Sequence, residues 1–345
     1  MRVHMEDDLE DLQLESADDC SDENPMLFGR ILDGNGAGRS ISWEEAKVWK
    51  PERSGEVLWV HLCRNRPGVD GWLQQLEIPE PTRELLTGER TRPRAFREGN
   101  TLVATLRGIN FNPGAEPEDM LSMQLWCDGE RLVTLRKMPL QTPRHVLRMI
   151  DRREAGPSDC GALITELTEA MITRMNRSIV DMNEHIDELE DRDPEDDPEG
   201  MLEKIATIRR NCLGLKRHMG PMHEALEAIS RNAPAWFEDH DRREIAESID
   251  RLRRYLEDLD ISKESAVVLM DDIRGRSIAR NEQTNYMLTI VAAIFLPLGF
   301  LTGLLGINVG GIPGTENPDA FWIVVALCAT VIALQLALFW RWKWL

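Results

Sequence analysis

The chain has 345 residues, 29% of them charged and 42% hydrophobic, with a formal net charge of −19. That length holds a sizeable soluble core with room for something smaller beside it. So strong an acidic balance argues against nucleic acid as a partner and suits cations.

The charge is unevenly placed. From Asn281 onward only Arg341 and Lys343 stand against Glu282, Glu316 and Asp319, so an acidic body precedes an almost uncharged tail. Residues 1–25 are acidic and lack an apolar pattern, which predicts disorder. They also carry no apolar signal segment. Residues 26–158 mix strand and helix patterns and read as an α/β domain. VLWVHL (57–62), NTLVATLRGI (100–109), LSMQLWC (121–127) and ERLVTLR (130–136) are rich in β-formers. Asp128-Gly129 between the last two signals a hairpin. Segments near 68–77 and 80–88 have helical spacing.

Residues 159–233 read as an antiparallel helical pair. Leu167, Met171, Met175, Ile179, Met182, Ile186 and Leu189 form one stripe, and Met201, Ile205, Ile208, Cys212, Leu215 and Met219 the other. Between them DELEDRDPEDDPE (187–199) turns the chain as an acidic tip. That tip is a solvated turn or, on a functional reading, a cation-attracting antenna. Residues 234–286 predict a stalk helix. Ile245, Ile249, Leu252, Leu256 and Leu259 alternate by four and three, and the register continues through Lys263, Ala266, Met270, Ile273 and Ser277. No loop signal separates the stalk from the apolar run after it, so one helix is expected from about 235 to 305. Such a rod cannot cover its own seam, which predicts identical neighbours.

Residues 287–305 and 320–340 are free of charge over 19 and 21 residues. A bilayer core needs about 20 apolar residues in helical form, so both read as membrane spans. The alternative is a buried hairpin of a soluble protein. Arg274, Arg276 and Arg280 precede the first span, and Arg341 and Lys343, in the basic C-terminal residues 341–345, follow the second. The loop 306–319 has neither Lys nor Arg. The positive-inside bias therefore places both termini and the body in the cytoplasm and the loop outside. The scattered cysteines Cys20, Cys63, Cys127, Cys160, Cys212 and Cys328 then read as reduced thiols.

The first span is not uniformly apolar. Asn281, Asn285, Leu288, Ala292, Leu296, Gly299 and Gly303 share one face, polar at the inner end, apolar in the middle and small at the outer end. Such a face suits a pore with a wet entrance and an apolar gate, or ordinary close packing between helices. If copies ring an axis, Gly306, Ile307 and Asn308 meet at the outer mouth. The Asn308 amide and nearby carbonyls would then offer neutral oxygens to a hydrated divalent ion. Glu316 and Asp319 would concentrate cations at the entrance.

These features together resemble the CorA metal-ion transporters, and two stretches are similar to the zinc-transporting ZntB branch: GLLGINVGGIPG (303–314) and GERTRPRAFREGNTLVATLRGIN (88–110). The resemblance covers about residues 28–345. It implies a funnel-shaped homopentamer in a bacterial inner membrane, with the first spans lining the pore and Gly306, Ile307 and Asn308 as the selectivity loop. It also implies zinc transport, proton-coupled in some members, with cadmium as a second substrate. Zinc is cargo here, and no resident cofactor is expected. Ile307 departs from the methionine of the magnesium-transporting relatives. NEQTNYML (281–288) keeps a polar entry like theirs, so a magnesium, cobalt or nickel channel stays as the alternative. A membrane-tethered acidic scaffold or sensor is the reading from another class.

In the body, His218 and His223 near Cys212, His61-Leu62-Cys63, the run Glu238–Asp241, Asp258 with Asp260, and Asp271 with Asp272 are candidate ligands without a defined metal-binding spacing. No nucleophile, base or cofactor motif suggests an enzyme.

Overall fold

The structure, a computed structural model, describes residues 24–112, 114–115, 119–152, 156–193, 197–307 and 317–342. The chain divides into two units. The first takes Met1–Asp193 and Glu199–Met270, and the second Pro194–Pro198 and Asp271–Leu345.

The first unit is built on a seven-stranded sheet of β1 (Met26–Leu32), β2 (Gly38–Ser40), β3 (Val57–Cys63), β4 (Arg94–Glu98), β5 (Thr101–Gly108), β6 (Leu121–Cys127) and β7 (Arg131–Arg136). Its order is β2-β1-β3-β7-β6-β5-β4. Only the central pair β3–β7 is parallel, with Leu58 opposite Arg131 and Cys63 opposite Arg136. Every residue of β3 is buried, as a strand covered on both faces requires. One face packs on the short helices α1 (Trp43–Val48), α2 (Val69–Gln75) and α3 (Glu80–Thr87), where Trp43, Trp72, Leu73 and Leu86 meet Leu58, Val60 and Val133. Toward the other lie α4 (Gln141–Asp151) and α5 (Cys160–Glu190). A Cβ added at Gly108 on β5 would stand 3.2 Å from Met171 of α5 and 3.3 Å from Leu140.

The expected hairpin is present, with Cys127 opposite Leu132. Asp128 Oδ1 accepts from the backbone N–H groups of Glu130 and Arg131 at 3.0 and 2.7 Å. Gly129 sits at φ +98°, and a Cβ there would also press 2.7 Å from the Trp236 ring. Both facts call for glycine. Strands β1, β2 and β4 and helices α1 and α4 were not anticipated from the sequence.

The helical pair is α5 with α6 (Pro198–Asn232). All thirteen stripe residues named for the two helices are buried. Met182 Sδ lies 3.8 Å from Cys212 Sγ across the pair. Helix α7 spans Asp239–Leu305. It starts later than expected because the preceding chain turns, Phe237 N–H donating to Pro234 O at 3.1 Å.

The seam of α7 corrects an expectation. Ile245, Leu252, Leu259 and Ala266 are at most 1% exposed within a single chain. Helices α5 and α6 supply the partners. Ser262 Oγ donates to Asn183 Oδ1 at 2.5 Å, Lys216 Nζ reaches Asp260 Oδ2 at 2.5 Å, and Arg251 reaches Glu169 at 3.1 Å. That half of the seam needs no identical neighbour to cover it, whereas Ile249, Leu256, Lys263 and Met270 are only half-buried and Ser277 is exposed. The thiols of Cys127, Cys160, Cys212 and Cys328 are free as expected, whereas Cys63 is disulfide-bonded.

The second unit holds the C-terminal part of α7, from Asp271, and the helix α8 (Ala320–Arg341). Both helices are long and apolar enough to cross a membrane.

Candidate functional site

Pro297 lies inside α7. It has no N–H, so the carbonyl four residues earlier, on Ala293, loses its helical partner. Gln335 of α8 replaces it, Nε2 donating to Ala293 O at 3.0 Å. This bond fixes which face of the first span meets the second. Ile290, Ala293, Ile294, Pro297 and Leu301 are half-buried on that face. Two residues of helix turn a side chain by about 200°, so Ala292, Leu296, Gly299 and Gly303 stand opposite.

The stripe is open along its whole length. Asn281, Asn285, Leu288, Ala292, Leu296, Gly299 and Gly303 are all exposed, Leu296 by 76%. A Cβ added at Gly299 or Gly303 would meet no atom within 4 Å. Their missing side chains are therefore not required by contacts within the chain. The threonine hydroxyls of this span turn inward, Thr289 to Asn285 O at 2.7 Å and Thr302 to Leu298 O at 2.9 Å. They satisfy themselves on the backbone, as a span in lipid demands.

At the C-terminal end of α7, Gly306 N–H donates to Thr302 O at 2.9 Å and Ile307 is exposed. Asp319 is exposed at the start of α8, where its carbonyl accepts from Ile323 N–H at 3.1 Å. Asn308 and Glu316 lie outside the described residues.

Several candidate ligands of the body are engaged otherwise. His61 is buried with Nδ1 2.8 Å from Thr134 Oγ1, and burial holds its pKa well below the usual range. Asp260 is held by Lys216 and Lys263, and Asp272 by Arg276 at 2.9 Å. His218 faces Arg107. Asp241 accepts from Glu238 N–H at 2.8 Å, and burial raises its carboxyl to about 6. Among the described residues no group of three or more His, Cys, Asp or Glu side chains gathers.

The sequence profile of the CorA-like Mg2+ transporter proteins matches residues 54–341. The chain belongs to that family. Its family is one of transporters rather than enzymes, and the α/β body, long helix and two C-terminal apolar helices are the fold of a CorA-like protein. The divalent cation transporter CmaX of Pseudomonas aeruginosa is 34% identical over 334 residues, covering 95% of this chain and 99% of its own. The zinc transport protein ZntB of Pectobacterium atrosepticum is 33% identical over 321 residues, covering 91% and 94%. The structure of full-length CmaX superposes with a TM-score of 0.82 at 33% identity, covering 96% of this chain and 100% of CmaX.

Sequence reasoning missed the clamp that joins the two spans. A proline within an apolar run, and a lone amide among the aliphatic residues of the next span, were the signals that could have found it.

Proposed function

We propose that this CorA-like protein carries divalent cations, zinc first among them, across a bacterial inner membrane through a homopentameric pore lined by its first span. The observation that carries the reading is the open stripe. Ala292, Leu296, Gly299 and Gly303 lie exposed on the face turned away from the second span, and Asn281, Asn285 and Leu288 continue that face where residues 281–289 are exposed all round. Asn281 and Asn285 precede the apolar run 287–305 and suit a wet inner entrance. Several copies around an axis give them a wet lumen, give Leu288, Ala292 and Leu296 a narrow apolar stretch, and let Gly299 and Gly303 close the ring.

Asn308 then offers its amide oxygen to a hydrated ion at the outer mouth, beside Gly306 and Ile307. Glu316 and Asp319 raise the local cation concentration. Arginines before the first span and after the second hold the body and both termini in the cytoplasm. Cadmium is a second cargo on this reading, and a proton gradient is a candidate driving force. The identity to ZntB and the GGIPG sequence support zinc. The exposed Asn281 and Asn285 favour the second reading, a magnesium, cobalt or nickel channel with a polar inner entrance.

The deciding experiment is metal flux into liposomes holding the purified full chain, for each ion in turn, with and without a pH gradient. Zinc flux that exceeds magnesium, cobalt and nickel flux supports the first reading, and the reverse order the second. Absence of flux for every ion, from protein that native mass spectrometry finds monomeric, would leave a tethered scaffold or sensor.

A further inference from the structure

The body carries a net charge near −18, yet the charged residues lining one cavity in its first unit are all arginines. It has a volume of about 450 Å³, and Arg92, Arg107, Arg217, His218 and Thr91 supply its polar groups. No carboxylate lines it. Arg92 and Thr91 belong to the segment after α3, Arg107 to β5, and Arg217 and His218 to α6. Two nearby segments and a remote helix thus bring their positive charges to one place.

Other cations nearby have carboxylate partners. Lys216, the immediate neighbour of Arg217, is neutralised by Asp260 at 2.5 Å, and Lys137 by Glu89 at 2.9 Å. Arg92, Arg107 and Arg217 form no ion pair among the described residues. Arg107 is half-buried and is oriented by neutral groups only. Its Nε donates to Thr91 O at 3.0 Å, its Nη2 to Thr91 Oγ1, and its Nη1 meets the His218 ring at 3.1 Å. A guanidinium held in place by hydroxyl, carbonyl and imidazole, with a second guanidinium close by, keeps its charge uncompensated. Burial and the charge of Arg217 both weigh against its protonated form. Burial together with Arg107 and Arg217 pushes the His218 imidazole down to about 4, so it stays neutral in the empty cavity.

We propose that this cavity is a binding site for a small phosphate-bearing anion, held by Arg92, Arg107 and Arg217 with His218 and Thr91 completing the contacts. Guanidinium forks match phosphate oxygens in a bidentate way and hold them by charge-assisted hydrogen bonds. The volume lies in the range of small-molecule sites, roughly 300–1,000 Å³. It exceeds what inorganic phosphate alone needs and admits a phosphomonoester. The two sources share one chemistry, and the anion would supply the missing countercharge. It would also reverse the field at His218 and raise its affinity for a proton. The site lies in the soluble unit and does not depend on what the spans carry.

The test uses the full chain in detergent and isothermal titration calorimetry with inorganic phosphate and, separately, adenosine monophosphate, against chloride at equal ionic strength. Saturable binding of either probe is expected; tighter adenosine monophosphate identifies an organic phosphomonoester, and tighter phosphate the free ion. Arg217→Gln and Arg92→Gln change exposed side chains and should each weaken binding about tenfold or more, the loss of one charge-assisted hydrogen bond. Arg107 has structural contacts, so its loss is read differently. In the folded wild type, the His218 imidazole, followed by NMR, should titrate at higher pH once phosphate is added. Binding of both probes no stronger than that of chloride would overturn the proposal. So would equal affinity in wild type, Arg217→Gln and Arg92→Gln, or a His218 titration that phosphate leaves unmoved.

Discussion

Gln335 Nε2 donates to Ala293 O at 3.0 Å, and Ala293 is the residue whose carbonyl Pro297 leaves without its helical partner. The two spans are thus joined where the first helix is broken. The bond satisfies a carbonyl that would otherwise face hydrocarbon, a group costing several kcal/mol when unpaired there. It also orients the first span, turning the stripe from Asn281 to Gly303 away from the second.

A double-mutant cycle isolates this contact. Gln335→Leu should destabilise the full chain in detergent by about 0.6–2 kcal/mol, the range of hydrogen bonds between membrane helices. Pro297→Ala restores an N–H to the Ala293 carbonyl, so in that background Gln335→Leu should cost much less. Thermal or chemical unfolding of the four proteins gives the coupling energy. Additive effects would mean that the amide and the proline act independently.

Asp241 makes a pH prediction. Burial is the main cause of its raised value, with the Asp159, Glu238 and Glu244 carboxylates adding to it, and it reaches about 6 from an ordinary 3.8. The folded state therefore holds the proton more tightly than the unfolded state. This group favours folding at low pH and loses that contribution as pH rises through about 6. Asp241→Asn keeps an oxygen for the Glu238 N–H and removes the buried charge. It should raise the melting temperature at pH 7.5, with a smaller gain at pH 5. His61 and His218 shift the opposite way, so the difference between the two proteins at each pH is the quantity to read. A gain that grew toward pH 5 would contradict the burial argument.

Much of this architecture was legible in the sequence, where periodicity was long. The stripes of α5 and α6 were read residue by residue, because helices of 31 and 35 residues repeat their apolar face many times. The three-residue β2 and the edge strand β4, with Arg94, Arg97 and Glu98, offer no such repeat. The seam of α7 was placed correctly, yet its cover was not. A stripe states that a face is buried, and only tertiary contacts such as Asn183 with Ser262 state by whom. The cationic cavity was invisible for a related reason: Arg217 is far in the chain from Arg92 and Arg107, and the three share no spacing.

Asn308→Ala should abolish metal flux while leaving the body folded. Asn308 is the one polar side chain of GLLGINVGGIPG (303–314). On the proposed pore reading its amide oxygen replaces part of the ion's water at the mouth. The variant should assemble and melt like wild type, since the body does not depend on that loop. Zinc flux at wild-type rate from assembled Asn308→Ala would remove the residue from the selectivity role.

Bulk on the stripe should close the path. Gly299 and Gly303 have open space around them in the single chain, so Gly299→Leu and Gly303→Leu carry no steric cost within it. Replacing glycine in a helix interior should even stabilise the isolated span by about 0.5–1 kcal/mol. A loss of flux would then come from the space between copies. Leu298 and Leu301 are half-buried, and a larger residue at Leu301 would crowd the second span, so neither is a neutral control. Phe300 is exposed off the stripe, and Phe300→Leu places the same side chain there that the test variants place on it. Flux assays at matched reconstitution should find Gly299→Leu and Gly303→Leu reduced at least tenfold, about 1.4 kcal/mol in barrier, and Phe300→Leu near wild type. Native mass spectrometry on the same samples separates a blocked pore from a failed assembly. Full flux through Gly299→Leu and Gly303→Leu would show that the open face of the first span does not border the ion path.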